Sequence, residues 1–140
     1  MSKVAVVYWS GTGNTEAMAE AVADGIREKG GEAVILTAGE FDRSMIGDYD
    51  SIAFGCPSMG DEELEESEFA PMFESCEPDL AGKKIALFGS YGWGDGEWMR
   101  KWEKTCKKAG AVFACDFVIC NDAPDDDAVE KCRVLGKALV

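Results

Sequence analysis

The 140-residue chain has no histidine. Without an imidazole, Ser-His-Asp and Cys-His catalysis are excluded, and metal or haem sites lose their commonest ligand. Its six cysteines, Cys56, Cys76, Cys106, Cys115, Cys120 and Cys132, include no C-x-x-C pair, so zinc-finger and thioredoxin-type chemistry lack their ligands too. Any chemistry then falls to a bound cofactor. Most of these cysteines fall at apolar positions, which reads as buried thiols in a reducing compartment. Basic residues are few: 14 Lys and Arg against 27 Asp and Glu give a formal charge of −13. That balance opposes binding to nucleic acid or anionic lipid and favours partners with basic faces. No apolar stretch is long enough to span a bilayer, and Met1-Ser2-Lys3 leads into a strand-like run without a small-residue cleavage pattern. A soluble, cytoplasmic, monomeric protein is expected, with no signal peptide and no membrane anchor.

What is present is a globular composition, 46% hydrophobic and 29% charged, of a length that suits one domain over residues 1–140. Strand-like runs recur at Val4 to Tyr8, Ala33 to Thr37, Ser51 to Gly55, Ile85 to Gly89 and Ala114 to Cys120. They are nearly continuous apolar stretches, as expected of parallel strands covered on both faces. Helical stripes lie between them: Met18, Val22 and Ile26; Phe69, Met72, Phe73 and Cys76; Trp98, Trp102, Cys106 and Ala109; Ala128, Cys132, Leu135 and Leu139. Residues 39–48 leave room for only a turn or two of helix. The alternation predicts an α/β three-layer sandwich, a five-stranded parallel sheet with helices on both faces. Ligands of such sheets bind beyond the carboxyl ends of the strands, where strand order reverses.

Three loops fall at that end. Ser10-Gly11-Thr12-Gly13-Asn14-Thr15 follows the first strand and offers hydroxyls, close-approaching amides and a helix amino terminus to an anion. It carries neither the lysine of a nucleoside-triphosphatase loop nor the third glycine of a dinucleotide fingerprint. A mononucleotide phosphate held by neutral donors fits it, and so does a plain polar turn. After the third strand comes Cys56-Pro57-Ser58-Met59-Gly60-Asp61-Glu62, and after the fourth Ser90-Tyr91-Gly92-Trp93-Gly94-Asp95-Gly96. Trp93, held on a turn between glycines, could stack on a flat ligand with Met59 on the other face, or cap the local core.

Tyr8 to Glu16, Met59 to Glu62 and Gly89 to Gly96 together resemble, in order and spacing, the phosphate loop and two isoalloxazine loops of the short-chain flavodoxins. The resemblance covers essentially the whole chain. It implies a flavodoxin-like fold of strand order 2-1-3-4-5, non-covalently bound FMN, and one-electron transfer between redox proteins with no substrate of its own. Ser10, Thr12, Asn14, Thr15 and the loop amides of Gly11 and Gly13 are thereby assigned to the FMN phosphate. Trp93 and Met59 would flank the ring and Glu62 would accept from flavin N(3)–H. Gly92 and Gly94 would line the pyrimidine edge, with Ser58, Asp61, Ser90 and Tyr91 in the same loops. The Gly60 carbonyl would turn toward N(5)–H and stabilise the neutral semiquinone. A net gain of about 1.4 kcal/mol moves a one-electron potential by about 59 mV. Asn121 and Asp122 lie, by position, near the ring edge.

The run Asp61, Glu62, Glu63, Glu65, Glu66 and Glu68, in a chain of charge −13, disfavours an anionic hydroquinone and lowers the second potential. The expected protein is a low-potential carrier cycling between neutral semiquinone and hydroquinone. The alternative on the same fold is an FMN-dependent NAD(P)H quinone reductase. A receiver domain is disfavoured because Gly55-Cys56 and Trp9-Ser10 stand where it needs aspartates.

Overall fold

In a computed structural model, which describes residues 2–140, the strands are β1 (Lys3–Tyr8), β2 (Glu32–Thr37), β3 (Ser51–Gly55), β4 (Lys84–Tyr91), β5 (Val112–Phe113) and β6 (Val118–Asn121). The helices are α1 (Asn14–Glu28), α2 (Phe69–Cys76), α3 (Glu97–Lys108) and α4 (Asp126–Ala138), and 3-10 turns at Ala38–Glu40 and Arg43–Asp48 fill the segment between β2 and β3. All pairings between these strands are parallel, in the order β2-β1-β3-β4 with β5 and β6 both on the far side of β4. The sheet order therefore reverses between β1 and β3.

The central strands are apolar on both faces because both faces are covered. In β1, Val4 and Val6 join Ala53, Ala86 and Phe88 under α1 and α4, while Ala5 and Val7 join Ile52, Phe54, Ile85 and Leu87 under α2 and α3. That alternation is the two-residue period of a strand read on two cores at once. The α2–α3 side is built on aromatics: Phe54–Phe73, Phe69–Trp102 and Phe73–Trp102 stand edge to face at 5.2, 5.4 and 5.5 Å, each contributing about 1 kcal/mol beyond area burial. On the other side α1 and α4 approach until backbones touch. A Cβ added to Gly25 would collide with the Arg133 carbonyl oxygen, and one at Gly136 with that of Val22.

The single fifth strand expected over Ala114 to Cys120 is broken. β5 pairs at Ile85↔Phe113 and β6 resumes at Phe88↔Val118, so Ala114 to Phe117 stand opposite only Ala86 and Leu87. Two extra residues form a bulge there, with Asp116 exposed on it. β5 and β6 together occupy the fifth position of the sheet.

Candidate functional site

The loop after β1 is shaped by Gly13, whose φ of 95° lies in the left-handed region at the amino end of α1. The Ser10 hydroxyl accepts from the Gly13 amide at 3.1 Å, closing the turn on itself. Thr15, in the first turn of α1, is 1% exposed, and its hydroxyl has no hydrogen-bond partner among the described residues. Beside the loop the Tyr8 hydroxyl donates to Glu16 at 2.9 Å. Burial, that bond and the charges of Glu16, Glu20 and Glu40 push Tyr8 up to about 12.

The loop after β3 is clamped at both ends. Cys56 and Ser58 amides donate to Phe88 and Ser90 carbonyls at 3.1 and 3.0 Å, prolonging the β3–β4 ladder, and Met59 and Glu63 exchange two backbone hydrogen bonds of 2.8 Å. Between those clamps Gly60 (φ 53°) and Glu62 (φ 56°) are both left-handed. For Glu62 that conformation costs about 1 kcal/mol. Its buried carboxylate accepts from the Glu97 amide at 3.2 Å, at the positive end of α3. The segment beyond is held by Glu65, a buried carboxylate that accepts from the Ser67, Glu68 and Phe69 amides at 2.8, 2.8 and 2.9 Å and from the Ser67 hydroxyl. Burial pushes Glu65 up, and these donors outweigh it and hold the carboxyl below its ordinary range.

The loop after β4 is tied across to the end of β6. Ser90 Oγ donates to the Asp122 carbonyl at 2.6 Å, and Asn121 Nδ2 and the Asp122 amide both donate to the Tyr91 carbonyl, at 3.2 and 2.8 Å. Tyr91 leans on Trp98 at 5.6 Å. Cys56 is structural: its Sγ accepts from the Glu65 amide at 3.4 Å, its carbonyl accepts from Trp98 Nε1 at 3.2 Å, and burial pushes its thiol well up.

Beyond the β1–β3 reversal the three loops enclose a cleft of about 200 Å³. Gly11, Thr12 and Asn14 line it from the first loop, Pro57, Ser58 and Met59 from the second, and Ser90, Tyr91 and Gly92 from the third, with Trp9 and Asp122 completing the wall. Ser10 and Gly13 face a neighbouring polar cavity of about 380 Å³, shared with Tyr8, Glu16 and Glu68, and Trp9 lines both spaces. Trp93 stands outside the cleft, 60% exposed, and Met59 at its rim is 38% exposed. Asp61 and Gly94 lie outside it as well, and the Glu62 carboxylate turns to Gly94 and Glu97. A carboxylate has about four acceptor positions, and the chain uses one, so capacity for a further donor remains. Sequence reasoning missed Trp9 and Pro57 as wall residues. Trp9 donates from Nε1 to Glu68 at 3.3 Å and lies against Gly11, where a Cβ would sit 3.0 Å from its ring. The available signal was an indole directly ahead of Ser10, at the start of the loop after β1.

Comparison with known proteins identifies the family of this fold. The sequence profile of the Flavodoxin family matches residues 6–136. The flavodoxin of Clostridium beijerinckii is 45% identical over 134 residues, covering 96% of each chain. That of Megasphaera elsdenii is 42% identical over 135 residues, again 96% of each. The solution structure of two-electron reduced Megasphaera elsdenii flavodoxin superposes with a TM-score of 0.90, at 43% identity over 97% of both chains. The chain belongs to the flavodoxin family and is an FMN-binding carrier of electrons to redox partners, not an enzyme.

Proposed function

We propose that the three loops are the FMN site, with the phosphate at residues 10–15 and the ring between the loops that carry Met59 and Trp93. The observation that carries this reading is Thr15: a buried hydroxyl without a partner, at the amino end of α1, is what a phosphate oxygen would satisfy. The rest of the donor set is in keeping with it. Thr12 and Asn14 line the cleft, no Lys or Arg occurs between residues 10 and 15, and Met59 and Trp93 are exposed apolar side chains that a flat ring would cover.

When bound, FMN supplies the capacity to take up and release electrons one at a time. The chain supplies the surroundings. The Met59–Glu63 clamp fixes the turn while glycine at position 60 leaves its own peptide free to present either its carbonyl or its amide partner to the site. Glu62, committed by one oxygen to α3, holds the other available as an acceptor. The carboxylates of residues 61–68 keep negative charge near the ring loops and oppose its accumulation on the group they surround.

The same charge favours redox partners with basic docking faces. The reading is completed by a single domain acting as a monomer in the cytoplasm. Among the described residues no helix is long and apolar enough to cross a membrane. The test is a potentiometric titration of the FMN-loaded protein at neutral pH. Two separated one-electron steps are expected, and a single two-electron step would refute the proposal.

A further inference from the structure

The polar cavity of about 380 Å³ beside the loop of residues 10–15 is open to a guest, since none of its lining residues is buried. It is lined by no Lys or Arg, and two of its lining side chains, Glu16 and Glu68, are carboxylates. Neither takes part in an ion pair among the described residues. The tyrosine, tryptophan and threonine donors of this cavity are already committed to carboxylates. Tyr8 donates to Glu16 at 2.9 Å, Trp9 to Glu68 at 3.3 Å and Thr37 to Glu40 at 3.0 Å. Burial, its bond to Glu16 and the charges of Glu16, Glu20 and Glu40 push Tyr8 up, which marks a negative field along this wall.

Gly11 lines both this cavity and the cleft assigned to the ring, and the Trp9 indole, held by Glu68, stands between the two spaces. A phosphate on residues 10–15 therefore has the ring on one side and this cavity on the other. The buried, unpartnered Thr15 hydroxyl points to one phosphate on that loop. A second phosphate, joined to the first through a bridging oxygen, would enter the cavity, where the donors are committed and two carboxylates face it. We propose that Glu16 and Glu68 determine which class of flavin the site accepts, admitting the mononucleotide and turning away the dinucleotide, whose diphosphate and adenosine this cavity would have to take. The inference rests on the FMN-site reading above and names what excludes the larger flavin from it.

The test is an equilibrium competition. FAD is titrated into the FMN-loaded full chain at about 0.15 M salt with EDTA present, and the FMN released is separated and measured, giving the ratio of the two affinities. Glu16→Gln/Glu68→Gln keeps an acceptor for Tyr8 and for Trp9 and removes only the charge, so FAD should gain at least about tenfold relative to FMN. Each single variant should move the ratio in the same direction by about threefold, an effect readable even where the double variant fails to fold. Glu32→Gln/Asp48→Asn makes the same change in net charge at exposed positions where β2 begins and just ahead of β3, at the opposite end of the sheet, and should leave the ratio within about twofold of the parent. An unmoved ratio in the Glu16 and Glu68 variants, or an equal shift in the distant pair, would overturn the proposal. Thr15→Val separates that failure from failure of the FMN site. FMN affinity lowered by Thr15→Val, with an unmoved ratio in the carboxylate variants, removes the selectivity role alone, whereas FMN affinity unmoved by Thr15→Val removes the phosphate site on which it rests.

Discussion

Replacing Thr15 by valine should move two quantities in opposite directions. The hydroxyl is buried and unpartnered, and a buried hydroxyl without a hydrogen bond costs about 1–3 kcal/mol. Valine keeps the shape and the β-branch and replaces the hydroxyl by a methyl, so the FMN-free protein should gain about 1 kcal/mol, raising its melting temperature by about 3–5 °C. In the FMN complex the sign reverses. A donor to a phosphate dianion contributes about 1.5–3 kcal/mol, so FMN affinity should fall by about tenfold to a hundredfold. Riboflavin, which lacks the phosphate, should bind the variant and the parent equally. Thermal unfolding of the FMN-free protein and fluorescence titration with each flavin measure all three quantities. A stability loss, an FMN affinity within about twofold of the parent, or an equal loss for riboflavin would refute the reasoning, because each would mean that the Thr15 hydroxyl is satisfied elsewhere or that the phosphate lies elsewhere.

Gly25→Ala or Gly136→Ala should cost about 3 kcal/mol in urea unfolding, near the upper end for overpacking because the obstacle is a backbone carbonyl, and should leave FMN affinity unchanged below the unfolding transition. Glu65 makes stability acid-sensitive. Its folded carboxyl is held below the unfolded value of ~4.3, so the contribution is complete above that value and is lost as pH falls through the depressed one. Glu65→Gln should lose about 1–3 kcal/mol at neutral pH and flatten the stability profile below pH ~4, and an unchanged profile would show that Glu65 is not the titrating group. Ellman's reagent at about pH 8 should modify Cys115 and Cys120, the partly exposed thiols, and spare Cys106 and Cys132, which burial pushes up to about 12. Rapid modification of all six would mean that the fold opens far more readily than its packing implies.

How much of this was legible in the residues depended on whether a feature was local. The strand Val4 to Tyr8 and the stripe Met18, Val22, Ile26 announce themselves because burial on two faces or one leaves a period in the chain. The loops were legible for a related reason, since their glycines, hydroxyls and the isolated Trp93 have little use in a core. The break at Ala114 to Phe117 was not, because a bulge inside an apolar run carries no glycine or proline to mark it. Nor was the left-handed backbone of Glu62, whose carboxylate accepts from the amide of Glu97, 35 positions away. Trp9 was in plain view, yet only the fold shows that one indole divides two cavities.

The bulge between β5 and β6 also bears on how the chain behaves when crowded. An outer strand offers a row of free amides and carbonyls on which another molecule can polymerise, the more readily the longer and straighter that row is. Here the row comes as two residues and then four, put out of phase by the two-residue excess at Ala114 to Phe117. A second copy laid along it could match one piece or the other but not both. The interruption blunts this rim of the sheet as a template, whereas the opposite rim, β2, is an unbroken strand of six residues that begins on Glu32 and ends on Thr37.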